Sequence, residues 1–562
     1  MTILLLEEDP LLRSAITREL TEQGVPADRI HYHSHPNHER SGLLALLQQH
    51  AFDAIICQQD KQQDLDGARL LHEAHYLGLL HEAHYLGLLQ PGCVLLLLDA
   101  DQSEQEFLPS DLYFSLYLPL PFMTQQLTAV LGQLVKLSNL TRTLAAPILL
   151  REWQLATALC EDLLFQRENR SLPPWLDRLK GYLLLQSTER ITAAQHYALC
   201  ANEYQASWPR AGLFYAMLGL GKLQSARTDL QRHQASVSMA TRLELQLASQ
   251  LHQHHWLAAW ETMGELLQIR PHQPRWHQLA MLLGLVLQDE EKVLEQANSL
   301  TLRHFSEQRV RLAIDSFMLN ASLAVLWHAP SSNRIRSLQQ EWEHLKRTVH
   351  LQPHEYELLQ ALMLGLDYRF DEALILIAHH QPDEGSDNHL TLLLGFAVSQ
   401  FCGLPHHAQR YLTQLTQYRV RVAPHPLTRQ LFHHLVAELG QRLTAREQRL
   451  SELRQLRHKA MQASQYQTAL QAGLQLLEEF PALPGDAWQL LELLQHCWPA
   501  GMAAPRVALL VDTLERRLKH SPAFLDQHAR QYQRTLQEIR THLQPHLSGS
   551  GPSCLVAGQP EP

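Results

Sequence analysis

One interval recurs along the C-terminal three quarters of this chain. Ala226, Ala259 and Val293 stand 33 and 34 residues apart, and Ala373 and Ala408 stand 35 apart, each inside a helical apolar pattern. An interval near 34 residues is the length of two short helices and their turns. A small residue at a fixed place in the second helix marks where two helices must approach closely. Ala469, in "YQTALQAGLQLL", occupies the same context. Two units close as such a unit should, with a proline and then a tryptophan: "IRPHQPRW" (Pro271, Trp276) and "EFPALPGDAW" (Pro481, Trp488). The proline stops one helix, and the large ring fills the gap between neighbours. Strand signals are missing from about 145 to 542, so this region is expected to be an all-α array of stacked helix pairs.

The array resembles the tetratricopeptide repeat, most closely in "DYRFDEALILIAHHQP" from Asp367 to Pro382. The intervals from Val293 to Ala373 (80 residues) and from Ala408 to Ala469 (61) depart from the pattern and should hold degenerate or longer units. About nine to eleven helix pairs are expected. The resemblance implies a superhelical solenoid whose concave groove, lined by the first helix of each pair, binds protein segments. Candidate groove residues are Arg275, His277 and Gln278 beside Trp276, and Asn388 and His389 before "LTLLLGF". Residues 543–562 include the Gly/Pro/Ser-rich "SGSGPSCLVAGQPEP" and are expected to form a disordered tail.

Residues 1–140 follow another rule. Short strand-like runs ("TILLL", the weaker "RIHYHSH", the almost wholly apolar "DAIIC" and "CVLLLLD", and "LYFSLYLP") alternate with amphipathic stretches such as "DPLLRSAITRELTEQG" and "MTQQLTAVLGQLVKLS". Brief, wholly apolar strands suit a parallel sheet buried on both faces. The expected fold is therefore α/β, a doubly wound parallel five-stranded sheet.

The order of these elements resembles a two-component receiver domain over the whole segment. The matching landmarks are Glu7, Glu8 and Asp9 after the first strand, "FDAIICQQDKQQDLDG", "VLLLLDA" and "YLPLPF". In that family an acidic pair holds a divalent ion and an aspartate after the third strand accepts phosphate. A hydroxyl and a lysine then sense the new anion. Counted from Asp53 or from Asp66-Gly67, the acceptor position falls on Gln59, whose carboxamide cannot form an acyl phosphate. The hydroxyl position is Asp99 and the lysine position Leu120, while the acidic pair survives as Glu7 and Glu8, which implies at most weak Mg²⁺ binding. The resemblance is thus to a pseudo-receiver with a dismantled pocket. An atypical acceptor, Asp60, is the alternative, although neighbours on a strand point to opposite faces. Tyr117 falls where the family carries a switch aromatic, within the interface such domains present to partners or to a second copy.

Composition narrows the classes further. A formal charge of -10, with no run of like charges, argues against nucleic acid or an anionic membrane. Seven cysteines without a CxxC pair suit free thiols in a reducing cytoplasm. No signal peptide, membrane span, P-loop, GxGxxG, GxSxG or HExxH is present in the sequence. Adjacent histidines at 254–255, 379–380, 406–407 and 433–434 point about 100° apart on a helix and do not chelate one ion, so no metal is expected. The nonapeptide "LHEAHYLGL" occurs twice in tandem over 71–88, adding about 13.5 Å of helix to the receiver-like segment. Together these readings lead to a non-catalytic cytoplasmic scaffold of two-component or chemotaxis type. It would bind protein partners through both parts and could homodimerise through the first. A phosphorylatable response regulator using Asp60 is the alternative.

Overall fold

The computed structural model describes residues 1–7, 9–32, 46–47, 49–58, 93–98, 114–119, 121–166, 169, 172–187, 189–269, 274–303, 306–326, 330–348, 351–379, 389–422, 426–480 and 483–547. The duplicated nonapeptide lies outside them. By contacts the chain divides into two compact units, Met1–Arg309 with Pro424–Leu431, and Val310–Ala423 with Phe432–Pro562.

The first unit begins with five short parallel strands: β1 (Ile3–Leu6), β2 (Ile30–Tyr32), β3 (Ala54–Gln58), β4 (Val94–Leu98) and β5 (Phe114–Leu118). Their order across the sheet is β2-β1-β3-β4-β5, so β3 is central. Ile3 pairs with Ala54, Ala54 with Val94, and Val94 with Phe114, which aligns the residues that share a face. Ile3, Leu5, Ala54, Ile56, Val94, Leu96, Leu116 and Leu118 enter one core. Leu4, Leu6, Ile55 and Cys57, one residue out of step, are buried as fully. With both faces covered there is no position for a polar alternation, hence the unbroken apolar runs.

Helix α1 (Pro10–Glu22) starts on Asp9, whose side chain accepts the Leu11 N–H at 2.9 Å, with Pro10 in the first turn. Helix α2 (Thr124–Leu149) is 26 residues long and serves two neighbours. Leu127, Leu131 and Leu134 pack in the sheet's core. Leu144 and Ile148 belong to the same continuous cluster, which runs on through Ala156, Cys160, Leu172, Leu176 and Leu183. The expected boundary between residues 140 and 145 therefore falls inside one helix.

Among the described residues nineteen further helices follow in hairpins: α3 (Trp153–Phe165), α4 (Pro173–Gln186), α5 (Arg190–Glu203), α6 (Ser207–Gly219), α7 (Leu223–Arg232), α8 (Met239–His252), α9 (Trp256–Ile269), α10 (Pro274–Leu287), α11 (Glu290–Arg303), α12 (Ser306–Leu326), α13 (Ser332–Thr348), α14 (Pro353–Leu366), α15 (Phe370–His379), α16 (His389–Phe401), α17 (Pro405–Val422), α18 (Pro426–Gln462), α19 (Tyr466–Glu479), α20 (Pro484–His496) and α21 (Ala504–Lys519). A last helix, α22 (Pro522–Leu547), continues past the expected end of the array at 542. The 80-residue interval holds one extra pair with long helices, α12 (21 residues) and α13 (17). The 61-residue interval holds no extra pair, because α18 alone takes 37 residues.

A single turn joins the two helices of seven of these pairs. Arg151, Gly221, His254, Gln288, Tyr368, Gly403 and Ser464 all have φ between 57° and 74°. In every case the residue that follows donates its N–H back five positions: Glu152 to Pro147, Lys222 to Met217, His255 to Gln250, Asp289 to Gly284, Arg369 to Leu364, Leu404 to Ser399 and Gln465 to Ala460, at 2.8–3.1 Å. This is the Schellman closure, which satisfies carbonyls left open at the end of the first helix. The same residue's carbonyl then accepts the first bond of the second helix from Ala156, Ala226, Ala259, Val293, Ala373, Ala408 or Ala469. All seven of these residues are buried. The recurring small residues thus stand five positions after the left-handed residue (151 to 156, 221 to 226, 464 to 469), at the tight base of each hairpin.

Five of the seven left-handed positions carry a side chain, which costs roughly 1–2 kcal/mol where glycine would not. Ser464 is exposed and has φ 57°. Ser464→Gly is expected to raise stability by about 1 kcal/mol, read as a higher urea midpoint. A lowered midpoint would mean that the serine contributes something the backbone geometry does not reveal.

Candidate functional site

Of the residues that the receiver resemblance leads one to expect in a pocket, Glu7 is described. It follows β1, is buried, and its Oε1 accepts the Asp9 N–H at 2.9 Å, so part of the carboxylate is already committed to the loop that starts α1. Glu8, Gln59, Asp60, Asp99 and Leu120 lie outside the described residues. Tyr117 stands in β5, paired in register with Leu97.

The groove residues are distributed differently from the expectation. Arg275 lies in the first turn of α10 and Gln278 is half-buried on the same helix. His277 is only 4% exposed, and its Nδ1 meets Gln296 Oε1 on α11 at 3.0 Å, so it ties the hairpin together and does not line a groove. The expectation fails there because Trp276 and His277 both face inward on α10. Asn388 lies outside the described residues, and His389 opens α16 with its ring 6.2 Å from Phe432. Burial pushes the His389 pKa down to about 4, which leaves the ring neutral near pH 7.

A cluster that the sequence reading passed over lies on α4 and α5. Asp177 sits one turn into α4, and His196 and Cys200, four residues apart, share a face of α5. One ligand atom from each lies within 4.8 Å of the other two. His196 Nε2 is 2.7 Å from the backbone carbonyl oxygen of Asp177 and 3.5 Å from Cys200 Sγ. Tyr204, which caps α5, donates its hydroxyl to Asp177 Oδ2 at 2.7 Å. Lys180 and Glu161 pair at 2.8 Å nearby. Cys200 is buried, while Asp177 and His196 are half-buried, so the cluster is open to solvent on one side.

Burial dominates the electrostatics. It pushes the Cys200 thiol up to about 12 and lowers His196, against the opposing bond to the Asp177 carbonyl. Burial, followed by the bond to Asp177, raises the Tyr204 phenol as well, so Tyr204 remains a donor. A neutral imidazole, a thiol, a carboxylate and a fixed phenol donor thus converge at one end of a helix pair. The signal in the sequence was the His-x-x-x-Cys spacing on α5, without the CxxC or paired histidines that mark better known sites. Neither a family model, a curated protein nor a solved structure matches the chain.

Proposed function

We propose that the chain is a non-catalytic signalling scaffold of two-component or chemotaxis type, pairing a phosphorylation-incompetent receiver-like domain with a tetratricopeptide-like array that binds protein. The observation that carries this reading is the place of Gln59. In open parallel sheets, chemistry gathers at the carboxyl ends of the strands near the middle of the sheet. Here the central strand β3 ends at Gln58, and the next residue is Gln59, an amide with no nucleophilic oxygen to offer. The strand order β2-β1-β3-β4-β5 is the order of flavodoxin-like sheets, to which receivers belong. For the array, the support is seven closures of identical hydrogen bonding, which make each of those hairpins one copy of a unit. Among the described residues no helix is long and apolar enough to cross a membrane.

The test uses the full chain with a small-molecule phosphodonor and Mg²⁺, followed by intact mass. The expected result is no phosphate adduct. An adduct that disappears in Asp60→Asn would overturn the scaffold and install the phosphorylatable regulator in its place. The partner half of the reading requires a protein captured from cells by the full chain that rebinds as a purified component. If no captured protein rebinds, that half fails.

A further inference from the structure

We propose that Asp177, His196 and Cys200 form a binding site for a divalent transition metal of the zinc type, clamping α4 to α5. The donor set is the first argument. Imidazole nitrogen, thiolate sulfur and carboxylate oxygen are the three ligand types zinc takes, and three protein ligands with solvent access on one side are a common complement. Magnesium and calcium, which demand oxygen, do not suit a site with nitrogen and sulfur.

Geometry is the second argument, and it is independent of the first. Zinc–nitrogen bonds of about 2.0–2.1 Å and zinc–sulfur bonds of about 2.3 Å, at a tetrahedral angle, set the two donors about 3.6 Å apart. Cys200 Sγ and His196 Nε2 stand 3.5 Å apart. That separation is also the length of an ordinary sulfur–nitrogen hydrogen bond, so the pair already stands at metal-binding distance without rearrangement. The Asp177 carboxylate lies within the same 4.8 Å envelope, and the 2.7 Å hydrogen bond between His196 Nε2 and the Asp177 carbonyl is the contact that gives way when Nε2 turns its lone pair to the metal.

The third argument is the surroundings. Ligands of a bound metal are themselves held by outer hydrogen bonds, and the Tyr204 hydroxyl holds Asp177 Oδ2 at 2.7 Å. Tyr197, the residue next to His196, is locked between Gly181 and Gly212, which fixes the rotation of α5 and hence the face it presents.

Protons balance simply. Metal entry expels the Cys200 thiol proton to solvent, His196 keeps its single proton by moving it from Nε2 to Nδ1, and Tyr204 keeps its own. A dication with one thiolate and one carboxylate leaves no net charge in the cluster, so the buried thiolate is compensated.

The test is Co²⁺ titration of the full chain after chelator treatment. One equivalent should bind, with near-ultraviolet sulfur-to-cobalt charge transfer and the intense visible bands of tetrahedral cobalt, and Zn²⁺ should bleach both. Cys200→Ala should abolish the charge-transfer band, and Cys160→Ala should leave it unchanged. Tyr204→Phe should weaken binding about 10- to 100-fold without moving the bands. His196→Gln, at a half-buried position, serves where Cys200→Ala fails to fold, and should lose tetrahedral bands while keeping the far-ultraviolet circular dichroism of the parent. Absence of any band in the full chain, or a charge-transfer band that survives Cys200→Ala, would overturn the proposal.

Discussion

Gly212→Ala is expected to destabilise the protein by about 3 kcal/mol, the upper end of what overpacking one core position costs. A Cβ on Gly212 would lie 2.1 Å from Tyr197 Cε1 and 2.3 Å from Cζ, distances no relaxed contact tolerates. The ring has no direction of retreat. On its other side a Cβ on Gly181 would already meet Cζ at 2.5 Å, so the tyrosine occupies a slot made by two missing side chains on α4 and α6. Relief requires moving a whole helix. The control is Gly264→Ala on α9, where an added Cβ meets nothing within 4 Å. There the helix-propensity gain of about 1 kcal/mol should stand alone, so the two identical substitutions should move the urea midpoint in opposite directions. A loss below about 1 kcal/mol at Gly212 would show that the helices are free to spread, contrary to the close packing that fixes α5.

Asp486→Ala should cost about 3–5 kcal/mol, for an electrostatic reason. Asp486 is buried in the first turn of α20 and takes two guanidinium groups from α18: Arg457 Nη2 at 2.6 Å and Arg454 Nη2 at 2.7 Å. Arg457 is only 7% exposed and its Nη1 has no partner among the described residues, so without the carboxylate it becomes a buried, uncompensated cation. Arg454, 46% exposed, can return to water, and Arg454→Ala should cost no more than about 1 kcal/mol. The decisive comparison is the double variant Asp486→Leu with Arg457→Leu, which removes the pair together. It should be more stable than Asp486→Ala, and a double variant that is worse would mean that the ion pair contributes net stability.

What could be read in advance followed from side-chain volume and polarity. The apolar runs that became strands, and Ala226, Ala259, Val293, Ala373, Ala408 and Ala469, announce themselves because burial restricts composition, and all six small residues are buried. The turn that makes them necessary could not be read. Its left-handed residue is glycine in two of seven cases and otherwise Arg, His, Gln, Tyr or Ser, because the closure is made by backbone N–H and carbonyl groups that every residue supplies. Helix α18 was hidden for a related reason. Its inward face mixes Leu453 with the arginines of the Asp486 network, so its apolar periodicity is weak over 37 residues. The Asp177–His196–Cys200 cluster was legible only as the His-x-x-x-Cys spacing, because Asp177 comes from a different helix, nineteen positions earlier (177 to 196), and only the hairpin brings it round. His277 was misplaced because beside a buried tryptophan a single step in helical phase separates surface from core.

The seven identical closures bear on how such a chain can change length. Each begins and ends on backbone groups within its own hairpin, from the accepting carbonyl of the first helix to the first amide of the second. A crossover that removes or adds the stretch from His255 to Gln288 joins one closure to the next at equivalent atoms, and each neighbour still meets a turn of the kind it met before. The array can therefore grow or shrink by whole units through ordinary recombination, its length adjusted in steps of one hairpin. The tandem nonapeptide at 71–88 has no such privilege, since nine residues match neither a hairpin nor a whole number of helical turns.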